Sequence, residues 1–189
     1  MNPLDYIFPA SSYNSIPQWI RGYLVYDSPY GALRLTKQNV DKIVAQQLRQ
    51  SLIDEEGYKD YVYLDSEGYL TAGIGHKLTT YDKLKYKLND RISQNQIEKW
   101  YYIDSNEKLF AAQEQAKALN LYNPDMILAL THVNFQLGTS WRSKFPKTWE
   151  AMKRGDAQKA IDNLRSSLWA KQTPKRVNNF INAIKRNIA

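Results

Sequence analysis

The sequence predicts an α+β fold, a small antiparallel sheet set between a leading helix and a larger helical lobe. Three observations predict it. Apolar residues recur at helical spacing from Val40 to Leu52, β-forming residues and glycines crowd residues 58–79, and helix-start signals return from Ser93 to Thr173. The chain has 189 residues, 43% of them hydrophobic. A chain of about 150 residues or more hides roughly 70% of its unfolded surface, so a core can form without covalent staples. There is no cysteine, which excludes a disulfide framework, a thiolate metal site and a cysteine nucleophile.

Residues 1–35 are broken by Pro3, Pro9, Pro17 and Pro29 and read as an irregular extension with one short strand at Tyr23–Tyr26. Its aromatics, among them Tyr6, Phe8, Tyr13 and Trp19, are too many for a free tail, so it is expected to pack on something. Residues 36–189 form the main domain. Thr36 caps a first helix that carries Val40, Ile43, Val44, Leu48 and Leu52 and stops at Gly57, which leaves Glu56 on its last turn. Strand-forming residues then flank the turn Asp65-Ser66-Glu67-Gly68, with Gly73 and Gly75 beyond it. Ser93 and Gln96 stand as a capping box for a helix over 94–118. Asn123 and Pro124 open another that ends at Gly138. Gly155-Asp156 opens a helix carrying Ala160, Ile161, Leu164 and Leu168, and Thr173-Pro174 opens a last one with Val177, Phe180, Ile181 and Ile184. No stretch reads as a signal peptide or as the ~18 apolar residues of a transmembrane segment, so a soluble product is expected.

The net charge of +7 is unevenly placed. Residues 139–189 hold twelve Lys and Arg against three acids, while the first 138 residues come to −2. A basic surface of this kind suits nucleic acid, an anionic membrane or an anionic wall polymer, and charge alone leaves all three open. Nucleic acid would call for basic residues interleaved with aromatics on one groove-fitting element, which the sequence lacks. Fourteen of the 24 aromatics are Tyr, whose polar tip suits wet surfaces, sugars included.

Two carboxylates stand out by position. Glu56 ends a helix beside a turning glycine, and Asp65 lies at the mouth of a hairpin nine residues later. Splitting a glycosidic bond needs such a pair, one acid to protonate the leaving oxygen and one carboxylate to help a water or the developing cation. The pairing alone is commonplace. The surrounding string is not: Glu56-Gly57, Asp65-x-x-Gly68 and Thr71-x-Gly73-x-Gly75-His76 resemble the active-site segment of the phage-type lysozymes, the endolysins of glycoside hydrolase family 24. Asn134-Phe135-Gln136-Leu137-Gly138 resembles that family's cleft-lining turn, and Trp169-x-x-Gln172-Thr173-Pro174-x-Arg176 its C-terminal signature. The likeness covers residues 37–186.

This resemblance implies a lysozyme-like fold with two lobes around a cleft, and a muramidase that hydrolyses bacterial peptidoglycan by inversion without metal or organic cofactor. It implies Glu56 as general acid, Asp65 as the carboxylate that activates the attacking water, and Thr71 as the hydroxyl that holds this water. Phe135, Thr148, Asn163 and Lys77 fall at saccharide-contacting positions, Lys77 standing where the family usually has an apolar residue. Arg176 falls where an arginine pairs with the catalytic glutamate. His76 and Asp104 fall at a structural ion pair, and a lone His is no metal site. His132 lies between apolar positions and reads as a packing residue, as do Trp141 and Trp149. The resemblance also implies synthesis in an infected host's cytoplasm and action on the cell wall. The extension over 1–35 is extra to the family; strapping onto the enzyme and docking onto a phage particle protein both stay open. The alternative reading is a virion-associated wall-binding or structural protein that keeps the fold.

Overall fold

The computed structural model describes residues 6–9, 25–27, 32–35, 37–65 and 67–188, with side chains described from Asp41 onward except those of Glu55 and Glu56. Three strands, β1 (Tyr6–Pro9), β2 (Val25–Asp27) and β3 (Ala32–Leu35), form an antiparallel sheet in the order β1-β3-β2. The Pro-broken extension therefore holds regular structure that its composition did not predict. Pro9 is compatible with it because β1 is an edge strand and Pro9 is its last residue, opposite Ala32. The strand expected at Tyr23–Tyr26 begins at Val25, and Tyr23 and Leu24 lie outside the described residues.

Helix α1 (Lys37–Glu56) is followed by a second sheet of β4 (Lys59–Leu64), β5 (Leu70–Gly73) and β6 (His76–Lys77), then by α2 (Thr80–Lys85) and the long α3 (Gln94–Ala118). The chain divides into two compact units, Leu48–Lys108 and the remainder, with the division falling inside α1 and α3. The smaller unit holds the β4-β5-β6 sheet. Thr71 of β5 stands opposite Tyr63 of β4 and Lys77 of β6, and the β4–β5 register shifts between Lys59 and Tyr63. Its apolar residues Leu48, Leu52, Val62, Ala72, Ile92 and Ile97 are all buried. At the β5–β6 turn Gly73 adopts a left-handed φ of +64°, and a Cβ there would come within 3.0 Å of the Ile97 side chain. Only glycine meets both conditions without strain.

The larger unit is helical after residue 108. Helices α4 (Pro124–Leu137), α5 (Trp141–Lys144), α6 (Pro146–Lys153), α7 (Ala157–Arg165), α8 (Leu168–Gln172) and α9 (Pro174–Asn187) surround one apolar core. Trp141, 1% exposed, sits in it edge-on to Trp149 and Phe180, with ring centroids 5.8 Å away in each case. Each such side chain buried contributes about 1.5–3 kcal/mol of transfer free energy. Helix α9 presents Val177, Phe180, Ile181 and Ile184 to this core, the spacing read from the sequence. Leu168 departs from its expected place in the helix opened by Asp156. That helix ends at Arg165, Ser167 accepts a hydrogen bond from the Ala170 N–H at 3.1 Å, and a new helix starts with Leu168 67% exposed. Helices α5 and α6 were not foreseen either, although Pro146 marks the first position of α6. Among the described residues no helix is long and apolar enough to cross a membrane.

Candidate functional site

The β4–β5 hairpin is closed by Asp65. Its backbone N–H donates to the Tyr69 carbonyl at 2.9 Å and its own carbonyl accepts from Gly68 N–H at 3.0 Å, with Gly68 at φ +81°. The side chain takes part in the turn as well. Oδ1 accepts the backbone N–H groups of Glu67 and Tyr69, both at 2.9 Å, which occupies that oxygen and orients the carboxylate. Oδ2 is left facing the sheet. There it lies 3.4 Å from the Thr71 hydroxyl and 3.5 Å from Lys77 Nζ. The Thr71 hydroxyl also reaches the Tyr69 carbonyl at 3.1 Å, so when its proton goes there its lone pairs stay available to a donor beside Asp65. Lys77 is bound more closely by Glu67 Oε2, at 2.7 Å, and its ammonium lies 4.3 Å from the Tyr69 ring centroid.

Burial pushes the Asp65 carboxyl up, but the two backbone N–H groups and the Lys77 ammonium outweigh it and hold the group below its ordinary value. Asp65 is thus ionised at neutral pH. The hydrogen bond to Glu67 raises Lys77 against the opposing effect of its burial, and Asp65 adds to the rise, so Lys77 is a fixed cation.

His76, 7% exposed, follows one strand position away on β6. Its Nδ1 lies 2.7 Å from Asp104 Oδ2 on α3 and its Nε2 lies 3.3 Å from Asp82 Oδ2 on α2. Its ring stacks on Trp100 with centroids 4.5 Å apart, and Trp100 Nε1 donates to the other oxygen of Asp82 at 3.2 Å. Burial lowers the imidazole, but the two carboxylates more than offset this and raise it above its ordinary value. Both nitrogens of the ring are engaged, so the imidazole joins β6, α2 and α3 and has no free nitrogen for a ligand.

Glu56 ends α1, and Gly57 follows at φ +78° with its N–H on the Ile53 carbonyl at 2.9 Å. The Glu56 side chain lies outside the described residues, and with it the expected pairing to Arg176 and the separation from Asp65. Arg176 is half-buried on the first turn of α9. In the larger unit Phe135 is half-buried near the end of α4, and Thr148, on α6, is 1% exposed. Asn163, on α7, borders a surface pocket of about 300 Å³ with Lys147, Glu150, Arg154 and Lys159. Among the described residues its buried Nδ2 has no hydrogen-bond acceptor. The geometry therefore gathers Asp65, Thr71 and Lys77 in one cluster and His76 with Asp104 in another within the smaller unit, while Phe135, Thr148, Asn163 and Arg176 belong to the larger.

The chain's residues 53–187 match the sequence model of the family described as phage lysozyme. The chain belongs to the phage lysozyme family. Its members are glycoside hydrolases, and peptidoglycan is the polymer that lysozymes cleave. The small sheet and the predominantly helical remainder are the α+β fold of this family. Among relatives, the chain is 29% identical over 154 residues to "Probable T4-type lysozyme 2" of Dictyostelium discoideum, covering 71% of this chain and 91% of that protein. It is 29% identical over 133 residues to "Peptidoglycan hydrolase gp36" of Pseudomonas phage phiKMV, covering 70% of this chain but 14% of that protein. It is 28% identical over 168 residues to "Pre-baseplate central spike protein Gp5" of Enterobacteria phage T4, covering 75% of this chain and 27% of that protein. In this phage lysozyme, reading the sequence missed Glu67, Asp82 and Trp100 as members of the two clusters. Two signals were there: Thr79-x-x-Asp82 is a capping box, and Trp100 precedes Asp104 by one helical turn.

Proposed function

We propose that this phage lysozyme is a muramidase that hydrolyses the β-1,4 bond between N-acetylmuramic acid and N-acetylglucosamine in bacterial peptidoglycan, by a single displacement with inversion. The observation that carries this reading is the Asp65–Thr71 arrangement. A water between Asp65 Oδ2 and Thr71 Oγ1 would donate one hydrogen to each, which turns a lone pair toward the anomeric carbon. An ionised Asp65 then takes the proton as the new C–O bond forms. Glu56 donates a proton to the leaving oxygen, and Arg176 orients it. An inverting route needs carboxyl groups roughly 6.5–9.5 Å apart, to leave room for that water. Phe135, Thr148, Asn163 and Lys77 are the candidate saccharide contacts, and the bacterial cell wall is the place of action.

The test pairs a variant with product analysis. Glu56→Gln is expected to lower the rate of wall hydrolysis by about 10²–10⁴-fold, the usual contribution of a general acid, with the thermal transition retained. Mass analysis of muropeptides from the unaltered enzyme should show reducing N-acetylmuramic acid ends. Anhydro ends, or a Glu56→Gln enzyme of near full rate, would overturn the reading.

A further inference from the structure

Lys77 has an unusual position for a lysine on a sheet. It is the direct cross-strand partner of Thr71, so both side chains rise from the same face, and the hairpin turn brings Asp65 to that face from the other side. A half-exposed lysine normally leaves its ammonium free in water, since ordering a long side chain costs more entropy than a surface pair returns. Here the ammonium is held three ways, by Glu67 Oε2 at 2.7 Å, by Asp65 Oδ2 at 3.5 Å and by the Tyr69 ring at 4.3 Å.

The three contacts have unequal consequences because the two oxygens of Asp65 are not equivalent. Oδ1 is taken by two backbone N–H groups, so any proton that Asp65 accepts arrives at Oδ2. That is the oxygen that faces Lys77. An ammonium beside it favours the ionised carboxylate and weakens it as a base. Glu67 pulls the other way. By holding Nζ at the shorter distance, it keeps the cation from closing on Asp65. Among the described residues the charged groups facing this lysine are Asp65 and Glu67, and Tyr69 offers its ring face.

We propose that Lys77 is a positioning residue, its ammonium divided between Asp65 and Glu67, that holds the Asp65 carboxylate on Thr71 and sets how strongly that carboxylate takes a proton from water. The inference rests on the reading of Asp65 as the water-activating group. It makes Glu67 part of the same device, a counter-ion whose loss acts opposite to the loss of Lys77.

Opposite signs make the experiment decisive. The Asp65 carboxyl is titrated by carbon NMR in the full chain and in K77M, K77R and E67Q, and the pH dependence of kcat/KM is measured on soluble peptidoglycan fragments. K77M should make Asp65 easier to protonate, with its acid dissociation constant falling about two- to five-fold, the scale of an exposed pair. E67Q should raise that constant, and K77R should stay near the original. The acid limb of kcat/KM should move to higher pH in K77M and to lower pH in E67Q. Midpoints that stay put, or that move the same way in K77M and E67Q, overturn the proposal and leave the reading of Asp65 standing. Midpoints that move in opposite directions while the acid limb does not follow overturn the reading of Asp65 itself.

Discussion

His76 shows what one buried imidazole can do for a lysozyme of this kind when two carboxylates flank it. Its raised proton affinity means that the folded chain binds this proton more tightly than the unfolded chain. The resulting stabilisation is fully present below the unfolded value of about 6.5 and is lost as pH rises through the higher folded value. Asp82 sets the other boundary. Burial pushes its carboxyl up, but the Thr79 hydrogen bonds and His76 outweigh this and hold it below its ordinary value. Its contribution is present above the unfolded value of about 3.9 and is lost as pH falls through the folded value. The cluster is therefore strongest between these limits. His76→Asn should cost about 1.5–3 kcal/mol near pH 6, the range for hydrogen bonds to charged groups, and clearly less near pH 9. Urea unfolding across that span checks it, and an equal cost at both ends would refute it. At this scale the sequence was informative about neighbours wherever a motif fixed the spacing, as for the closeness of Asp65 to Thr71 and of His76 to Asp104. It was silent on partners that only folding brings together. Gln115, 1% exposed, donates to Asn134 Oδ1 at 3.0 Å and accepts from Trp141 Nε1 at 3.2 Å, across 19 and 26 residues of chain. No periodicity announces such a bridge, because a glutamine on a helix ordinarily faces water.

Among the elements, the β5–β6 turn has a geometry that tolerates little. Gly73 needs a left-handed backbone, a Cβ there would lie only 3.0 Å from the Ile97 side chain, and the strands it joins carry Thr71 on one side and His76 and Lys77 on the other. Gly73→Ala should destabilise the chain by about 1–3 kcal/mol, the cost of a strained backbone position with an overpacked neighbour. It should also lower the hydrolysis rate measured well below the new transition temperature, because a shifted β6 misplaces Lys77 against Asp65. Unchanged stability in thermal melts would show that the turn relaxes freely. Elements with paired start and stop signals were legible in advance. Helix α4 has Asn123 accepting the Met126 N–H at 3.0 Å, Pro124 at its first position and Gly138 at φ +83° beyond its end. The short ones were not. Helix α5 has four residues and no side-chain cap, too little for a 3.6-residue period to register. In the extension the strand β2 was expected to within two residues, whereas β1 was hidden by a proline that an edge strand tolerates at its end, and β3, its partner, went unread with it.

The whole molecule carries one property that no single element explains, its charge. Of the net +7, residues 139–189 alone account for more than the total. On the helices that follow Gly138, Arg186 forms a bidentate pair with Asp125 at 3.0 and 2.9 Å. Lys147, Arg154, Lys159, Lys171 and Lys175 are exposed and make no ion pair among the described residues. Cations left unneutralised on one unit act at a distance. They draw the enzyme toward an anionic polymer before any sugar enters a site, and salt screens that attraction as the Debye length shrinks from about 10 Å at 0.1 M to about 3 Å at 1 M. The proton transfer proposed at Asp65 spans a few ångströms and would be screened far less. Raising salt from roughly 0.05 to 0.5 M should therefore slow wall hydrolysis about three- to ten-fold, through KM with kcat nearly constant. Replacing Lys171 and Lys175 together by Gln should flatten this dependence while leaving kcat at low salt unchanged, since both are exposed on the surface of the larger unit. Turbidity clearance and reducing-end release, followed in parallel across ionic strength, separate the two effects. A rate indifferent to salt would mean that the cationic helices serve solubility alone. A fall confined to kcat would place the salt sensitivity in the chemistry around Asp65 and Lys77, away from the encounter with the wall.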